Sequence, residues 1–294
     1  MRKTLALLIA LTLPLLLLIS CGKNQPDKDT GKKGDSGSKY ITIKGSDTMV
    51  HLVSSWAEAF MLRSPSAEVS VTGGGSGTGI AALLNGTTDI CAASREIKAN
   101  ERELASQKSI NPVEITVARD GIAVVVHPDN PVSELTMAQM KSIFTGSSTS
   151  WADFGGSDEK IDILSRESNS GTFIFFQEMV LEKEDYTQSA RLLPATSAII
   201  QSVSSDTSTI GYVGLGYALD AKDKVKIIRV KTDESSQSVM PSEKTVRSGE
   251  YPIARPLLFY TNGDASGSVK EFIDFCLSAE GQKIVSDTGY VPLG

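Results

Sequence analysis

Short apolar segments alternate with polar, glycine-containing turns along most of the chain. Residues 40–44 alternate as a strand does, a Gly-Ser-Asp-Thr turn follows at 45–48, and apolar positions then recur at helical spacing over 49–62. The order of strand, turn and helix repeats over residues 67–84, with the turn at 73–79. This alternation predicts an α/β layered fold with parallel strands.

The same alternation continues to the end of the chain. Strands are predicted at 89–93, 122–126, 161–165, 210–213 and within 251–260, and helices from about 98, at 136–144, after 172, at 198–203, at 268–277 and at 279–288. Two segments, near 115–125 and 250–260, are predicted to cross between two lobes around a cleft. The predicted first lobe is 40–120 with 256–294, and the predicted second lobe is 121–255.

The N-terminal segment has the layout of a secretory signal peptide over residues 1–20, in which two basic residues precede an apolar run. Residues 18–21 resemble a bacterial lipobox, in which Cys21 is acylated, with palmitate as one acyl chain, and becomes the new N-terminus. An ordinary signal peptide with an incidental cysteine is the alternative. Residues 21–39 are polar and predict a flexible tether. The chain is therefore expected outside the cytoplasm, lipid-anchored to a bacterial membrane on the periplasmic side or at the cell surface.

The overall charge is negative, with a formal net charge of -6 at pH 7. A protein with this net charge is repelled by nucleic acid and by anionic lipid surfaces, so neither is expected as a partner that its net charge attracts. The chain has two histidines, His51 and His127, and two cysteines beyond the lipobox, Cys91 and Cys276, without the spacing of a metal site. No metal and no cofactor is predicted. The two cysteines could pair in an oxidising compartment, but their apolar surroundings favour two buried thiols.

Three turns rich in glycine and hydroxyl residues stand at the start of predicted helices. They are 45–48, 73–79 and 168–172. A helix N-terminus presents unpaired backbone N–H groups and the positive end of the helix dipole, so it binds anions without a positive surface. Each turn alone is commonly just a turn. Turns from different lobes that face one cleft would together surround a small tetrahedral oxyanion.

The strongest of the three turns carries an arginine. Arg166 precedes a Ser-Gly-Thr helix start at 170–172. A guanidinium can donate two parallel hydrogen bonds to an oxyanion, while the N–H groups and hydroxyls of the helix start bind its other side. The alternative is a surface arginine in a salt bridge next to a capped helix.

Several motifs together resemble the phosphate-binding proteins of bacterial phosphate ABC transporters. They are KGSDTM at 44–49, GGGSGTG at 73–79, AASREI at 92–97, IFTG followed by Trp151, SRESNSGT at 165–172, IGYVGLGYA at 210–218, YPIARPL at 251–257 and FIDFCLSAEGQKIVSDTGYVPL near the C-terminus. The resemblance covers nearly the whole chain after the tether. It implies a two-lobed type II periplasmic-binding-protein fold, with two crossover strands as a hinge. It also implies binding of inorganic phosphate and its delivery to the membrane permease subunits of an ABC importer.

The resemblance further implies the ligand contacts. In that family, two lobes enclose a dehydrated phosphate with the first turn, the serine of the glycine-rich turn and the segment of arginine and Ser-Gly-Thr. Carried to this chain, the contacts are Thr48 with Ser46 or Asp47, then Ser76, Arg166, Ser170, Gly171 and Thr172. A protein of this kind is expected to be a monomer and not an enzyme.

One position departs from the family's pattern. Several members place an aspartate after an Ala-Ser pair, where it accepts the proton that phosphate carries and sulfate lacks, whereas this chain has Arg95 there. Arg95 is either a further oxyanion donor or turned away. We hypothesise that Asp47 accepts the proton instead and discriminates against sulfate. The alternative for Asp47 is a cap of the following helix.

Parts of the sequence are also compatible with other functions. The same fold could bind another tetrahedral oxyanion, such as sulfate or molybdate. An exported phosphoester hydrolase belongs to a different class, but the sequence has no GxSxG elbow and no Walker lysine. A dinucleotide enzyme is suggested only by the GxGxxA spacing of Gly77, Gly79 and Ala82, without the second strand and acidic residue that such a site needs.

Overall fold

A computed structural model describes residues 39–294 of the chain. The predicted signal peptide at 1–20 and the lipidation site at Cys21 lie outside the described residues. The tether predicted at 21–39 also lies outside them, except for Lys39, which begins the first strand. Within residues 39–294, no helix combines the length and the apolar character that crossing a membrane requires.

Strands and helices alternate along the described chain. The strands are β1 (Lys39–Gly45), β2 (Ala67–Thr72), β3 (Ile90–Ala93), β4 (Pro112–Val126), β5 (Glu134–Thr136), β6 (Asp162–Arg166), β7 (Arg191–Leu193), β8 (Thr209–Gly214), β9 (Lys226–Ile227), β10 (Arg229–Lys231) and β11 (Ala254–Asn262). The helices are α1 (Val50–Arg63), α2 (Ser76–Leu84), α3 (Ala99–Gln107), α4 (Met137–Thr145), α5 (Gly171–Met179), α6 (Thr196–Val203), α7 (Leu215–Asp220), α8 (Glu243–Ser248), α9 (Gly267–Leu277) and α10 (Ala279–Asp287), with short 3₁₀ helices at Asp47–Met49 and Trp151–Phe154.

Most strands form one mixed sheet in the order β2-β1-β3-β11-β4-β8-β6-β7, with β9 beside β4. In the first half of the sheet, β1 is parallel to β2 and β3, and in the second half β6 is parallel to β7 and β8. The prediction of an α/β fold is confirmed, but the prediction of parallel strands is wrong at the centre. There β11 runs antiparallel to both β3 and β4, and β4 runs antiparallel to β8.

The two central strands explain this departure. The 15-residue strand β4 pairs with β11 over its first part and with β8 over Ile122–Val126, so a single strand belongs to both halves of the sheet. The chain passes from the first half to the second along β4 and returns along β11. Because the two passages run in opposite directions, the strands that make them are antiparallel.

Two large apolar clusters lie on the two sides of this central pair. In the first half, Trp56 of α1 packs edge-on against Phe259, with the ring centroids 5.8 Å apart. In the second half, Phe176 of α5 stacks on Tyr212 at 4.0 Å. Fully buried aromatic rings contribute much of the packing energy of a core, so each half has its own core beside the central strands.

The two cysteines of the described chain are buried free thiols. Cys91 and Cys276 belong to different apolar clusters. Burial raises the pKa of the Cys91 thiol to about 12, so this group stays protonated at neutral pH. The prediction of two buried thiols is confirmed.

The glycine-rich turn is shorter than predicted because its serine already belongs to the helix. Helix α2 begins at Ser76 and not near residue 80, and Gly75 before it has φ +91°, a conformation that favours glycine. Helix α5 begins at Gly171, with Ser170 as its N-cap. The first turns of α2 and α5 therefore coincide with the polar segments that the sequence singles out.

Candidate anion-binding site

The starts of three helices meet at the carboxyl ends of the parallel strands. The 3₁₀ helix at Asp47–Met49 follows β1, helix α2 follows β2, and helix α5 follows β6. Thr48 Oγ1 from the first half lies 2.8 Å from Thr172 Oγ1 of the second half. A Cβ atom on Gly171 would lie 2.7 Å from Ser94 Oγ and closer still to Ser76 Oγ, so only glycine permits this approach.

Three serine hydroxyls of the first half form a buried cluster. Ser46 Oγ donates to Ser94 Oγ at 2.9 Å, and Ser94 Oγ lies 3.3 Å from Ser76 Oγ. The backbone N–H of Ser94 donates to Ser76 Oγ at 3.0 Å. All three residues are buried. Since a hydroxyl both donates and accepts, these groups bond to one another here and could turn to donate to an anion.

The helix α5 start supplies a second set of donors. Ser170 Oγ accepts hydrogen bonds from the N–H groups of Thr172 and Phe173 and so caps the helix, which leaves its own hydroxyl proton free to donate. The N–H of Gly171, like that of Ser76 in α2, lies in the first turn, where helical N–H groups have no acceptor within the helix. Backbone donors from both halves thus stand beside the hydroxyl cluster.

Arg166 and Asp47 form a salt bridge across the two halves. Arg166 Nη2 donates to Asp47 Oδ2 at 2.7 Å, and the other oxygen of Asp47 accepts the N–H of Gly74 at 2.9 Å. The remaining bonds of this guanidinium go to Thr196 Oγ1, Leu193 O and Pro194 O. The Arg166 side chain is 2% exposed, so it is not the surface arginine of the alternative interpretation. Asp47 is not a helix cap either, because its side chain bonds to the glycine-rich turn.

Arg95 is turned toward Glu101. Its two terminal nitrogens donate to the two carboxylate oxygens of Glu101 at 2.8 Å each. Burial disfavours the Glu101 carboxylate, but hydrogen bonds from Arg95 and from the Lys98 N–H lower the pKa of Glu101 below its usual value. Arg95 also lines a cavity of about 370 Å³ together with Phe175 and Arg255. Of the two alternatives for Arg95, the described contacts correspond to the turned-away side chain.

Three residues at the site were missed by the sequence analysis: Ser94, Asp120 and Arg255. Arg255 Nη2 donates to Asp120 Oδ2 and to Thr172 Oγ1 at 3.0 Å each, and lies 3.4 Å from Thr48 Oγ1. A signal was present for the last two, because Asp120 borders the continuous apolar run of β4 and Arg255 interrupts an apolar strand. Charged residues at such positions are rarely buried without a partner.

The buried pair is electrostatically balanced. Burial raises the pKa of Asp120, while the charge of Arg255, its hydrogen bonds and the Leu215 N–H oppose that rise. Each guanidinium near the cluster therefore has a carboxylate: Glu101 for Arg95, Asp47 for Arg166 and Asp120 for Arg255. An anion would meet hydroxyls, N–H groups and neutralised arginines, so its binding does not depend on a net positive charge.

Among the described residues, no group of three or more histidine, cysteine, aspartate or glutamate side chains is arranged to hold a metal ion. The chemistry that this arrangement offers is hydrogen-bond donation from two sides to a small group rich in acceptor oxygens.

Comparison with known proteins matches the chain to one family domain and to relatives named phosphate-binding proteins. Residues 30–280 match the PBP superfamily domain. The chain is 33% identical to the phosphate-binding protein PstS of Bacillus subtilis, over 99% of this chain and 95% of the relative, and 34% identical to PstS of Staphylococcus epidermidis, over 94% and 85%.

Two solved structures are similar in both fold and sequence. The first is a phosphate ABC transporter substrate-binding protein of Clostridium perfringens with bound phosphate, at TM-score 0.79 and 32% identity, covering 87% of this chain and 100% of that one. The second is an ABC-type phosphate transport receptor of Vibrio cholerae, at TM-score 0.67 and 30% identity, covering 85% and 99%.

Proposed function

Since this chain belongs to the PBP superfamily and is related over almost its whole length to phosphate-binding proteins, we propose that it binds inorganic phosphate outside the cytoplasmic membrane and delivers it to an ABC importer. Its fold is that of the type II periplasmic-binding proteins, as the family resemblance of the sequence implied. The observation that carries the proposal is the convergence of buried hydroxyls and helix starts from both halves of the sheet, with Thr48 and Thr172 at 2.8 Å.

The proposed ligand set keeps the residues that the sequence singled out. Hydroxyls would come from Ser46, Thr48, Ser76, Ser170 and Thr172, a backbone donor from Gly171, and charged contacts from Asp47 and Arg166. Arg95 would join only by leaving Glu101. The burial of the hydroxyl residues and their bonds to one another support this set, since a ligand would replace acceptors that the hydroxyls now supply for each other.

The proposed mechanism is closure of two lobes, 40–120 with 256–294 and 121–255, about the central strands. Bonds that join the two halves directly support closure: Arg166 to Asp47, and the Gly77 N–H to Asn169 O at 2.9 Å. Phosphate would favour this closed arrangement through contacts that only it makes available.

Selectivity for phosphate over sulfate is proposed to depend on Asp47. Each oxygen of this carboxylate accepts one hydrogen bond in the structure, and a carboxylate oxygen can accept two. One lone pair would accept the proton of a phosphate oxygen, whereas sulfate has no proton to donate and would face an uncompensated repulsion.

Attachment and partners are proposed from the sequence before residue 40. A lipid on Cys21 would hold the protein at the outer surface of the cytoplasmic membrane or of the cell, and residues 21–39 would let it reach the permease subunits. Mass spectrometry of the mature N-terminus tests this proposal: a diacylated or triacylated Cys21 is expected, and an unmodified N-terminus elsewhere would contradict it.

The proposed role is binding without catalysis. His51 lies on an exposed position of α1 with its ring edge-on to Tyr217, and the serines of the cluster bond to other hydroxyls. These contacts do not pair a nucleophile with a histidine base, as hydrolysis by a serine would require. Incubation with a chromogenic phosphate ester should give no turnover, and steady release of product would support the hydrolase instead.

Isothermal titration calorimetry with phosphate, arsenate, sulfate and molybdate tests the proposed ligand. Phosphate and arsenate should bind tightly at one site per chain, with sulfate and molybdate far weaker. Tighter binding of sulfate or molybdate would reassign the protein to another oxyanion, and no heat with any of the four would contradict anion binding altogether.

A further inference from the structure

Asp120 and Arg255 form a buried ion pair between the two central strands. They are direct cross-strand partners in the register of β4 and β11. Their side chains are 0% and 1% exposed, and Arg255 Nη2 lies 3.0 Å from Asp120 Oδ2. The pair therefore lies on β4 and β11, the two strands along which the chain passes between the two halves.

Arg255 contacts both halves of the site from this position. It donates from Nη2 to Thr172 Oγ1 at 3.0 Å, with Thr48 Oγ1 at 3.4 Å, and from Nη1 to Ser94 O at 3.0 Å. Thr48 and Ser94 belong to the first half, and Thr172 belongs to the second. The central guanidinium carbon of Arg255 lies over the ring of Phe175, 5.5 Å from the centroid, which is a cation–π contact.

These bonds determine the direction in which the threonine hydroxyls donate. A hydroxyl has one proton and two lone pairs, so an oxygen that accepts from an arginine keeps its proton for another acceptor. In the structure, one of the two threonine hydroxyls donates its proton to the other, at 2.8 Å. Nη2 of Arg255 has two N–H groups, and one of them bonds to Asp120 Oδ2. With an anion between the halves, the other N–H can be shared by Thr172 Oγ1 and Thr48 Oγ1 in a three-centre bond, while both hydroxyl protons point to the ligand.

Asp120 makes this arrangement possible in a buried site. A guanidinium without a counter-charge would be costly to bury, because it loses its hydration and gains no compensating partner. Asp120 accepts from Arg255 and holds its second oxygen on the Leu215 N–H, so the guanidinium is both neutralised and fixed in orientation.

We propose that Arg255, held by Asp120, is a positioning residue of the phosphate site that orients the hydroxyls of Thr48 and Thr172 as donors to the ligand. This inference rests on the proposed function. According to this inference, the Asp120–Arg255 pair contributes to phosphate binding and does more than join the two central strands.

A double-mutant cycle tests the inference. Phosphate dissociation constants are measured for the wild type, Arg255→Lys, Thr172→Val and the double variant. Arg255→Lys should weaken binding at least about 30-fold, as expected when a buried charged partner is disturbed. The loss caused by Thr172→Val should be at least about threefold smaller in the Arg255→Lys background, because the hydroxyl is no longer oriented there.

Arg119→Lys is the matched control, since Arg119 lies on the same strand next to Asp120 but is exposed, and it should bind phosphate like the wild type. Equal losses from Thr172→Val in both backgrounds, or wild-type affinity in Arg255→Lys, would overturn the inference while leaving phosphate binding intact. If the wild type binds no phosphate, the proposed function itself fails, and the inference falls with it.

A second variant replaces Arg255→Lys if that protein does not fold. Asp120→Asn combined with Arg255→Gln removes both charges and leaves no unpaired buried ion. This double replacement then substitutes for Arg255→Lys in the cycle. Thr172→Val should again cause a loss of phosphate affinity at least about threefold smaller in its background than in the wild type. Equal losses in both backgrounds would overturn the inference.

Discussion

Arg166 and Arg255 are buried to a similar degree, but their partners differ in kind. Arg166, at the end of β6, bonds mainly to the carbonyls and hydroxyl of the 193–196 segment and to Asp47, whose side chain is 16% exposed. Arg255, in the central strand β11, bonds to a fully buried carboxylate and to hydroxyls of the site itself. We call the partly exposed Arg166–Asp47 pair the rim of the site and the fully buried Asp120–Arg255 pair its floor.

This difference shows what a local motif can and cannot reveal. Arg166 stands four residues before the Ser-Gly-Thr helix start, so its motif is visible in one stretch of sequence. Arg255 reaches Thr172 across 83 residues and Asp120 across 135. The pairing of β4 with β11 brings Asp120 to Arg255, and the position of the α5 start brings Thr172 to the same guanidinium.

The largest expected effect is on the free energy of unfolding, which should fall more when the Asp120–Arg255 pair is broken than when the Asp47–Arg166 pair is broken. Asp120→Ala should lower the free energy of unfolding by about 3–5 kcal/mol, because it leaves a buried guanidinium without its counter-charge. Asp47→Ala should cost about 1.5 kcal/mol, since Arg166 keeps its other acceptors. Urea denaturation measures both, with Asp129→Ala as an exposed control that should change little. Equal losses from the two main variants would remove the distinction between rim and floor.

The next effect concerns phosphate affinity at the rim. Arg166→Ala should weaken phosphate binding by about 2–5 kcal/mol, because the bond to Asp47 that joins the two halves is lost. Calorimetry measures the change. Arg191→Ala, whose arginine is 53% exposed in its salt bridge to Asp162, is the control and should bind normally. Near-normal affinity of Arg166→Ala would contradict the assignment of this residue to the site.

A smaller effect is expected on selectivity. Asp47→Asn removes the negative charge and replaces one of the two acceptor oxygens with an N–H donor, but it keeps the size of the side chain. The ratio of phosphate to sulfate affinity should fall about tenfold, or about 1.4 kcal/mol. Calorimetric titration of the variant with both anions checks this, and an unchanged ratio would exclude Asp47 as the selective group.

The smallest expected effect is on the pH dependence of stability, and it concerns Arg95, which bonds to Glu101 and not to the hydroxyls of the site. The pKa of Glu101 is lower in the folded protein than its ordinary value of 4.5. Its contribution to stability is therefore complete above that value and is lost as the pH falls through the lower, folded pKa. The stability difference between the wild type and Glu101→Gln should shrink from pH 7 toward about pH 3. A difference that stays constant in urea denaturation across this range would contradict the assignment.

Much of the fold and part of the site could be predicted because their signals are local. Strand β2 was predicted at its observed bounds, and the turn before α5 was recognised by its Ser-Gly-Thr. Strands as short as β9, with two residues, are below the length at which alternation can be read. The glycines at 73–79 read as a turn, yet Ser76 starts a helix whose stability comes from packing more than from propensity.

The pairing of the central strands β4 and β11 was the part of the fold that sequence patterns could predict least. An apolar run such as Ile122–Val126 indicates a buried strand but not its neighbours, so neither the antiparallel pairing nor the register of Asp120 with Arg255 could be deduced. Ser94 was likewise visible only as part of a motif, because its role depends on Ser46 and Ser76 reaching it from other turns.

A crystal structure of the wild type with phosphate tests the site most directly. We expect one phosphate between the two halves, with its oxygens within about 3.2 Å of the hydroxyls of Thr48, Ser76 and Thr172. A phosphate bound at another place, with these hydroxyls still bonded only to one another, would contradict this site assignment.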